Sequence, residues 1–122
     1  MKVIIAGSRG FNDYEVLAKV CDYMLQNQDK SEIEIVSGTA RGADQLGERY
    51  AEDRNYKITR FPADWENLGK KAGYVRNAQM AEYSDALIAF WDGESKGTLH
   101  MINLAKEHGL KVKVHRFGEQ IE

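Results

Sequence analysis

The chain has 122 residues, 43% of them apolar and 30% charged, with a formal net charge of −2. That balance suits one domain with its own core, spanning residues 1–122, and fits a globular chain rather than a disordered one. The mild acidity argues against a protein that coats nucleic acid, although a local basic patch is compatible with it. No apolar run approaches the roughly 20 residues needed to cross a bilayer, and Val3–Ala6 is too short for the core of a secretion signal. A single cysteine, Cys21, excludes an internal disulfide, so a cytoplasmic location is expected.

Val3-Ile4-Ile5-Ala6 reads as a buried strand. The helix that follows is expected from about Asp13, capped by Asn12, with Glu15 three residues on and Phe11 stapled to Val16. Val16, Leu17, Val20, Cys21, Met24 and Leu25 keep one face of it apolar. Ile33, Ile35 and Val36 mark the second strand, and Ala43, Leu46, Tyr50 and Ala51 the second helix. A third strand runs from Tyr56 to Phe61 and closes at Pro62. A loop with Asp64, Trp65, Gly69 and Lys70 leads to a third helix over Ala72–Tyr83. The fourth strand, Ala86–Trp91, is the most apolar. The fourth helix runs from about Gly97 to His108, with Gly109 where a terminating glycine belongs. Lys111–His115 is the last strand, and Phe117–Glu122 is a tail.

Strands alternating with helices in this way predict an α/β fold: a doubly wound, Rossmann-like parallel sheet with helices on both faces. The expected strand order is 3-2-1-4-5, which places a ligand site at the carboxyl ends of the strands, between the first and fourth.

Three strand-to-helix loops converge on that edge. Gly7-Ser8-Arg9-Gly10 follows the first strand and is not a G-x-G-x-x-G fingerprint. Arg9 would stand where a guanidinium can fork onto a phosphate. In Ser37-Gly38-Thr39-Ala40-Arg41-Gly42-Ala43-Asp44, Ser37 and Thr39 offer hydroxyls, and Gly38 and Gly42 permit close backbone approach. Arg41 at a helix start opposes the helix dipole unless an anion compensates it. Asp44 has three possible roles: favouring the helix N-terminus, holding Arg41, or bonding a ribose hydroxyl. Gly93-Glu94-Ser95-Lys96-Gly97-Thr98 has the placement of a phosphate loop without a Walker A sequence, and Ser95, Gly97 and Thr98 are its candidate ligand groups. Before the third helix, Lys70 and Lys71 make a basic edge. Arg76 with Asn77 then pairs a charge clamp with an amide that can read a polar group.

Trp65 and Trp91 are packing residues first, and Trp91 is also a candidate for stacking on a base. His100, His108 and His115 lack ligand spacing with each other or with Cys21, so no metal and no resident cofactor are expected. Cys21 belongs to an apolar helix face and is expected in the core.

These motifs, taken in order, resemble the SLOG superfamily of Rossmann-like domains, in its YspA-type, YpsA-related branch. The residues that carry the likeness are Gly7-Ser8-Arg9 with Phe11, Ser37–Asp44, Phe61-Pro62-Ala63-Asp64-Trp65, Gly69-Lys70 with Ala72-Gly73, Arg76-Asn77 with Met80, and Asp85 through Gly97-Thr98. The resemblance implies binding of a nucleotide or nucleotide-derived signal, and a homodimer. Two more distant likenesses keep alternatives open. Lonely-guy phosphoribohydrolases cleave the N-glycosidic bond of a nucleoside monophosphate, and in their loop a glutamate follows Gly-Thr by three positions. Met101 stands there in this chain, leaving Asp44 and Asp92 as candidate acids and Arg76 as candidate phosphate clamp. The DNA-processing protein DprA shares the Gly-Ser-Arg and Ser-Gly-x-Ala-Arg-Gly-x-Asp elements and implies single-stranded DNA as a less favoured partner.

Overall fold

The structure is a computed structural model and is described for residues 1–118. The predicted tail falls partly beyond this limit, since residues 119–122 lie outside the described residues. Five parallel strands form one sheet in the order β3-β2-β1-β4-β5. They are β1 (Lys2–Gly7), β2 (Glu34–Ser37), β3 (Lys57–Arg60), β4 (Ala86–Trp91) and β5 (Lys111–Arg116). The longer helices are α1 (Tyr14–Leu25), α2 (Ala43–Arg54), α4 (Ala72–Tyr83) and α5 (Lys96–Glu107). A short α3 (Trp65–Leu68), which the apolar pattern does not announce, forms where Asp64 caps the amide of Asn67 at 3.2 Å.

Alternation along β1 builds the two layers. Val3 and Ile5 face a core shared with Leu17, Cys21 and Leu25 of α1 and Tyr50 and Ala51 of α2. Ile4 and Ala6 face the other core, with Met80 and Ala81 of α4 and Met101, Ile102 and Ala105 of α5. Both faces of the central strands are therefore covered, as parallel sheets require. Cys21 is fully buried, and burial pushes its thiol pKa well up, so it is a core residue. No helix among the described residues is long and apolar enough to cross a membrane.

One local expectation shifts. The cap of α1 is Asp13, whose carboxylate accepts the Val16 amide at 3.2 Å, not Asn12. Phe11 stacks on Phe90 and meets the edge of Phe117, each 4.8 Å between centroids, and so ties the first loop to β4 and the end of β5. The cap of α5 is Ser95, whose hydroxyl accepts the Thr98 amide at 3.4 Å.

Because the chain leaves β1 in one direction and returns beside it as β4, the loops after these strands touch. The Ser8 amide donates to the Phe90 carbonyl at 2.9 Å, and the Asp92 amide to the Ser8 hydroxyl at 3.1 Å. A Cβ on Gly7 would strike the Phe90 carbonyl and come within 2.9 Å of the Ala43 side chain. Glycine is what lets α2 start this close to the switch point.

Candidate functional site

A cleft of about 500 Å³ opens at this carboxyl edge. Its floor is built from buried residues: Ser8, Asp44, Asn77, Met80, Thr98 and Met101. Its rim carries the exposed side chains of Arg9 and Lys70, with Trp65 at 53% and Tyr74 at 48% exposure. Gly7, Arg76, Asp92, Ser95 and Gly97 complete the wall.

Helix α4 supplies the most densely bonded part. Gly73, Arg76, Asn77 and Met80 recur at helical spacing and all line the cleft. The Arg76 guanidinium donates through Nη1 to the Gly38 carbonyl and through Nε to Asn77 Oδ1 at 3.0 Å. Nη2 has no protein acceptor among the described residues. Burial lowers the Arg76 pKa, and the positive Arg9 nearby adds to this, while Asp44 opposes it. A desolvated guanidinium with a free edge at a cleft wall favours an anion. The Asn77 oxygen is held by Arg76, so its amide nitrogen faces the Gly97 carbonyl at 3.3 Å and His100 Nδ1 at 3.2 Å. An amide nitrogen only donates, so His100 accepts at Nδ1 and carries its ring proton on Nε2. Burial lowers the His100 pKa, and its ring meets the edge of Tyr74 at 4.4 Å.

The two acids of the cleft differ sharply. Asp92 Oδ1 accepts the amides of Glu94 and Ser95, each at 2.8 Å, and these bonds hold its carboxyl below the ordinary range. Asp44 is 4% exposed, and burial raises its pKa to about 6. The backbone amides of Ala40, at 3.2 Å, and of Gly7 and the charge of Arg76 offset that shift only in part, and Glu48 adds to it. A Cβ on Gly38 would come within 2.8 Å of both Arg76 Nη1 and Asp44 Oδ2. Glycine therefore lets these two charged groups flank the β2 loop.

The sequence-predicted residues divide into two groups. Gly7, Ser8, Arg9, Asp44, Lys70, Arg76, Asn77, Asp92, Ser95, Gly97 and Thr98 come together at the cleft. Ser37, Gly38, Thr39, Arg41, Gly42 and Trp91 do not line it. The Ser37 hydroxyl donates to Glu48 at 2.7 Å and accepts the Thr39 amide at 3.1 Å, so it organises the loop from behind. Thr39 takes a positive φ of 65°, and Gly42 one of 80°, where a Cβ would press within 2.5 Å of the Ser8 carbonyl. Arg41 is exposed. The Trp91 indole donates to the Ser95 carbonyl at 3.0 Å, and its ring packs against the α4–α5 core and under Arg116, which commits it to structure. Tyr74 and Met80 line the cleft and His100 meets Asn77 behind it without a motif to announce them, although the spacing of Gly73, Arg76, Asn77 and Met80 marks the relevant face of α4. Among the described residues no cluster of His, Cys, Asp or Glu is grouped to hold a metal ion.

The loop chemistry has counterparts in known proteins. The family model described as "YspA, cpYpsA-related SLOG family" matches residues 1–68, more than half of the chain and including both the Gly7-Ser8-Arg9 and the Ser37–Asp44 loops. The chain belongs to the YspA, cpYpsA-related SLOG family. This SLOG domain is also similar to the Gene 61 protein of Mycobacterium phage D29, at 36% identity over 127 aligned positions that cover 98% of each chain. Among solved structures it is similar to DNA processing protein A of Helicobacter pylori, described for its single-stranded DNA binding mode. That match has a TM-score of 0.68 at 19% identity and covers 93% of this SLOG chain and 64% of the other. At that identity the likeness is one of fold.

Proposed function

We propose that this SLOG domain binds a nucleotide or nucleotide-derived small molecule in the carboxyl-edge cleft, as a ligand-binding or sensing protein. The observation that carries the reading is the free Nη2 edge of the desolvated Arg76 guanidinium in a cleft whose rim adds Arg9, Lys70 and two half-exposed aromatic rings. Cations meet the phosphate, the α5 N-terminus at Gly97 adds an amide donor, and Trp65 and Tyr74 offer faces for a base. Hydrolysis has weaker support. Met101, at the position of the lonely-guy glutamate, brings neither charge nor proton to the floor, and Asp92 is committed to its own loop. The free, buried Cys21 suits a reducing compartment such as the cytoplasm.

A second reading has the same cleft take one nucleotide of a single DNA strand. The Helicobacter pylori neighbour and the aromatic pair at the rim favour it.

Calorimetric titration with AMP, GMP, CMP and UMP, and with a short oligodeoxynucleotide, at two salt concentrations tests both readings. The first expects saturable mononucleotide binding with a shallow salt dependence and no release of free base by chromatography. Binding of the oligonucleotide alone, falling steeply with salt, would favour the strand reading. Robust release of base would favour the hydrolase.

A further inference from the structure

We infer that the cleft reads the ribose of its ligand through Asp44, so that it takes ribonucleotides in preference to their 2′-deoxy counterparts. The inference rests on the nucleotide reading above and adds the chemical class of the sugar.

The cleft separates its charges by depth. Arg9 and Lys70 stand exposed at the rim, whereas the Asp44 carboxylate lies on the floor beside Ala6, Gly7 and Ala40. A phosphate is repelled by a carboxylate and drawn to the cations and to the α5 N-terminus, so the group that reaches Asp44 is another part of the ligand and must donate. An ionised carboxylate only accepts hydrogen bonds, with about four lone-pair sites. Two backbone amides, those of Ala40 and Gly7, answer it from the protein, and Arg76 points its Nη1 at the Gly38 carbonyl without forming a direct ion pair with Asp44. Acceptor capacity is therefore left over on the floor of the cleft. Vicinal hydroxyls of a ribose are donors of the right kind, and a base in contact with Trp65 and Tyr74 would leave its sugar between rim and floor. Thr98 and Asn77, also on the floor, already have partners in Ser95, Gly97, Arg76 and His100. Asp92 stands half-buried on the wall rather than on the floor, and its Oδ1 is taken by two amides of its own loop. Burial is the main cause of the raised Asp44 pKa, which agrees with a carboxylate that protein donors only partly compensate.

The test is titration of the wild-type protein with AMP, GMP, CMP and UMP and with the four matching 2′-deoxynucleoside monophosphates, repeated with Asp44→Asn. The expected result is at least a tenfold preference for the ribo form in the wild type, falling to less than threefold in Asp44→Asn. Equal affinity for ribo and deoxy forms in the wild type overturns this inference while leaving nucleotide binding intact, and it needs no variant to be read. A preference that survives in a folded Asp44→Asn protein also overturns it. Binding of neither series removes the nucleotide reading and this inference together.

Discussion

The loops after β2 and β4 occupy the same kind of place, each leading from a strand into a helix at the carboxyl edge, and each has an aspartate beside it: Asp44 in the first turn of α2 and Asp92 directly after β4. In the β4 loop the carboxylate is a scaffold: Asp92 folds the turn by accepting the Glu94 and Ser95 amides, and Ser95 then caps α5. In the β2 loop Asp44 accepts one amide, that of Ala40, and much of the shaping falls to others. Ser37 is bonded to Glu48, Thr39 and Gly42 take positive φ, and Asp44 is left buried on the cleft floor. The same side chain thus stabilises one loop and burdens the other. Burdened, buried polar groups at a cleft are where ligand chemistry is expected.

The largest effect that separates the loops is steric. Gly42→Ala should destabilise the fold by about 3 kcal/mol, because its Cβ would meet the backbone carbonyls of Ser8 and Arg9 within 2.6 Å at a φ of 80°. Gly93→Ala, at a φ of 86°, meets only the movable end of Arg116 and should cost about 1 kcal/mol. Urea unfolding of the two variants checks the difference, and equal costs would break the contrast.

The next effect concerns binding. Arg76→Ala should weaken nucleotide affinity by about 1.5–3 kcal/mol, the range for hydrogen bonds to charged groups. Arg41→Ala, exposed and away from the cleft lining, should change it by less than about 0.5 kcal/mol. Calorimetry that ranks them the other way would move the site to the far side of the β2 loop.

The two aspartates should also give opposite pH signatures. Asp44 has a folded pKa of about 6 against an ordinary value of 3.8, so the native state holds the extra proton between these values. Stability contributed through Asp44 therefore falls as pH rises from about 4 to 6, and Asp44→Asn should gain on the wild type across that window. Asp92 is held below 3.8, so its contribution is present above that value and is lost as pH falls through its lower folded pKa. Asp92→Asn should cost about 1 kcal/mol at neutral pH, and less in acid. Unfolding curves from pH 3 to 7 for the three proteins read both signs.

Much of this was legible in the sequence because period and punctuation carried it. Ala86–Trp91 and Ala72–Tyr83 have the bounds that their apolar patterns predict, and the strand order follows from alternating strands and helices. The loops were legible as a group, but the direction of each side chain within them was not. Ser37 and Arg41 have the residue types of ligand groups, yet Ser37 turns back to Glu48 and Arg41 stands in solvent, since loop dihedrals rather than periodicity aim them. Trp91 was ambiguous for a similar reason: a strand end offers an indole either to a ligand or to the next turn, and the Ser95 carbonyl captures it. Tyr74 and His100 were missed because their contact joins two helices distant in sequence.

The most direct test of ligand binding at this edge is to follow backbone amide resonances during titration with a ribonucleoside monophosphate. The account predicts the largest shifts at residues 7–10, 40–44 and 95–98, and little change at the opposite edge, around residues 29–33 and 84–86. Shifts concentrated at that opposite edge, or none at saturating ligand, would contradict it.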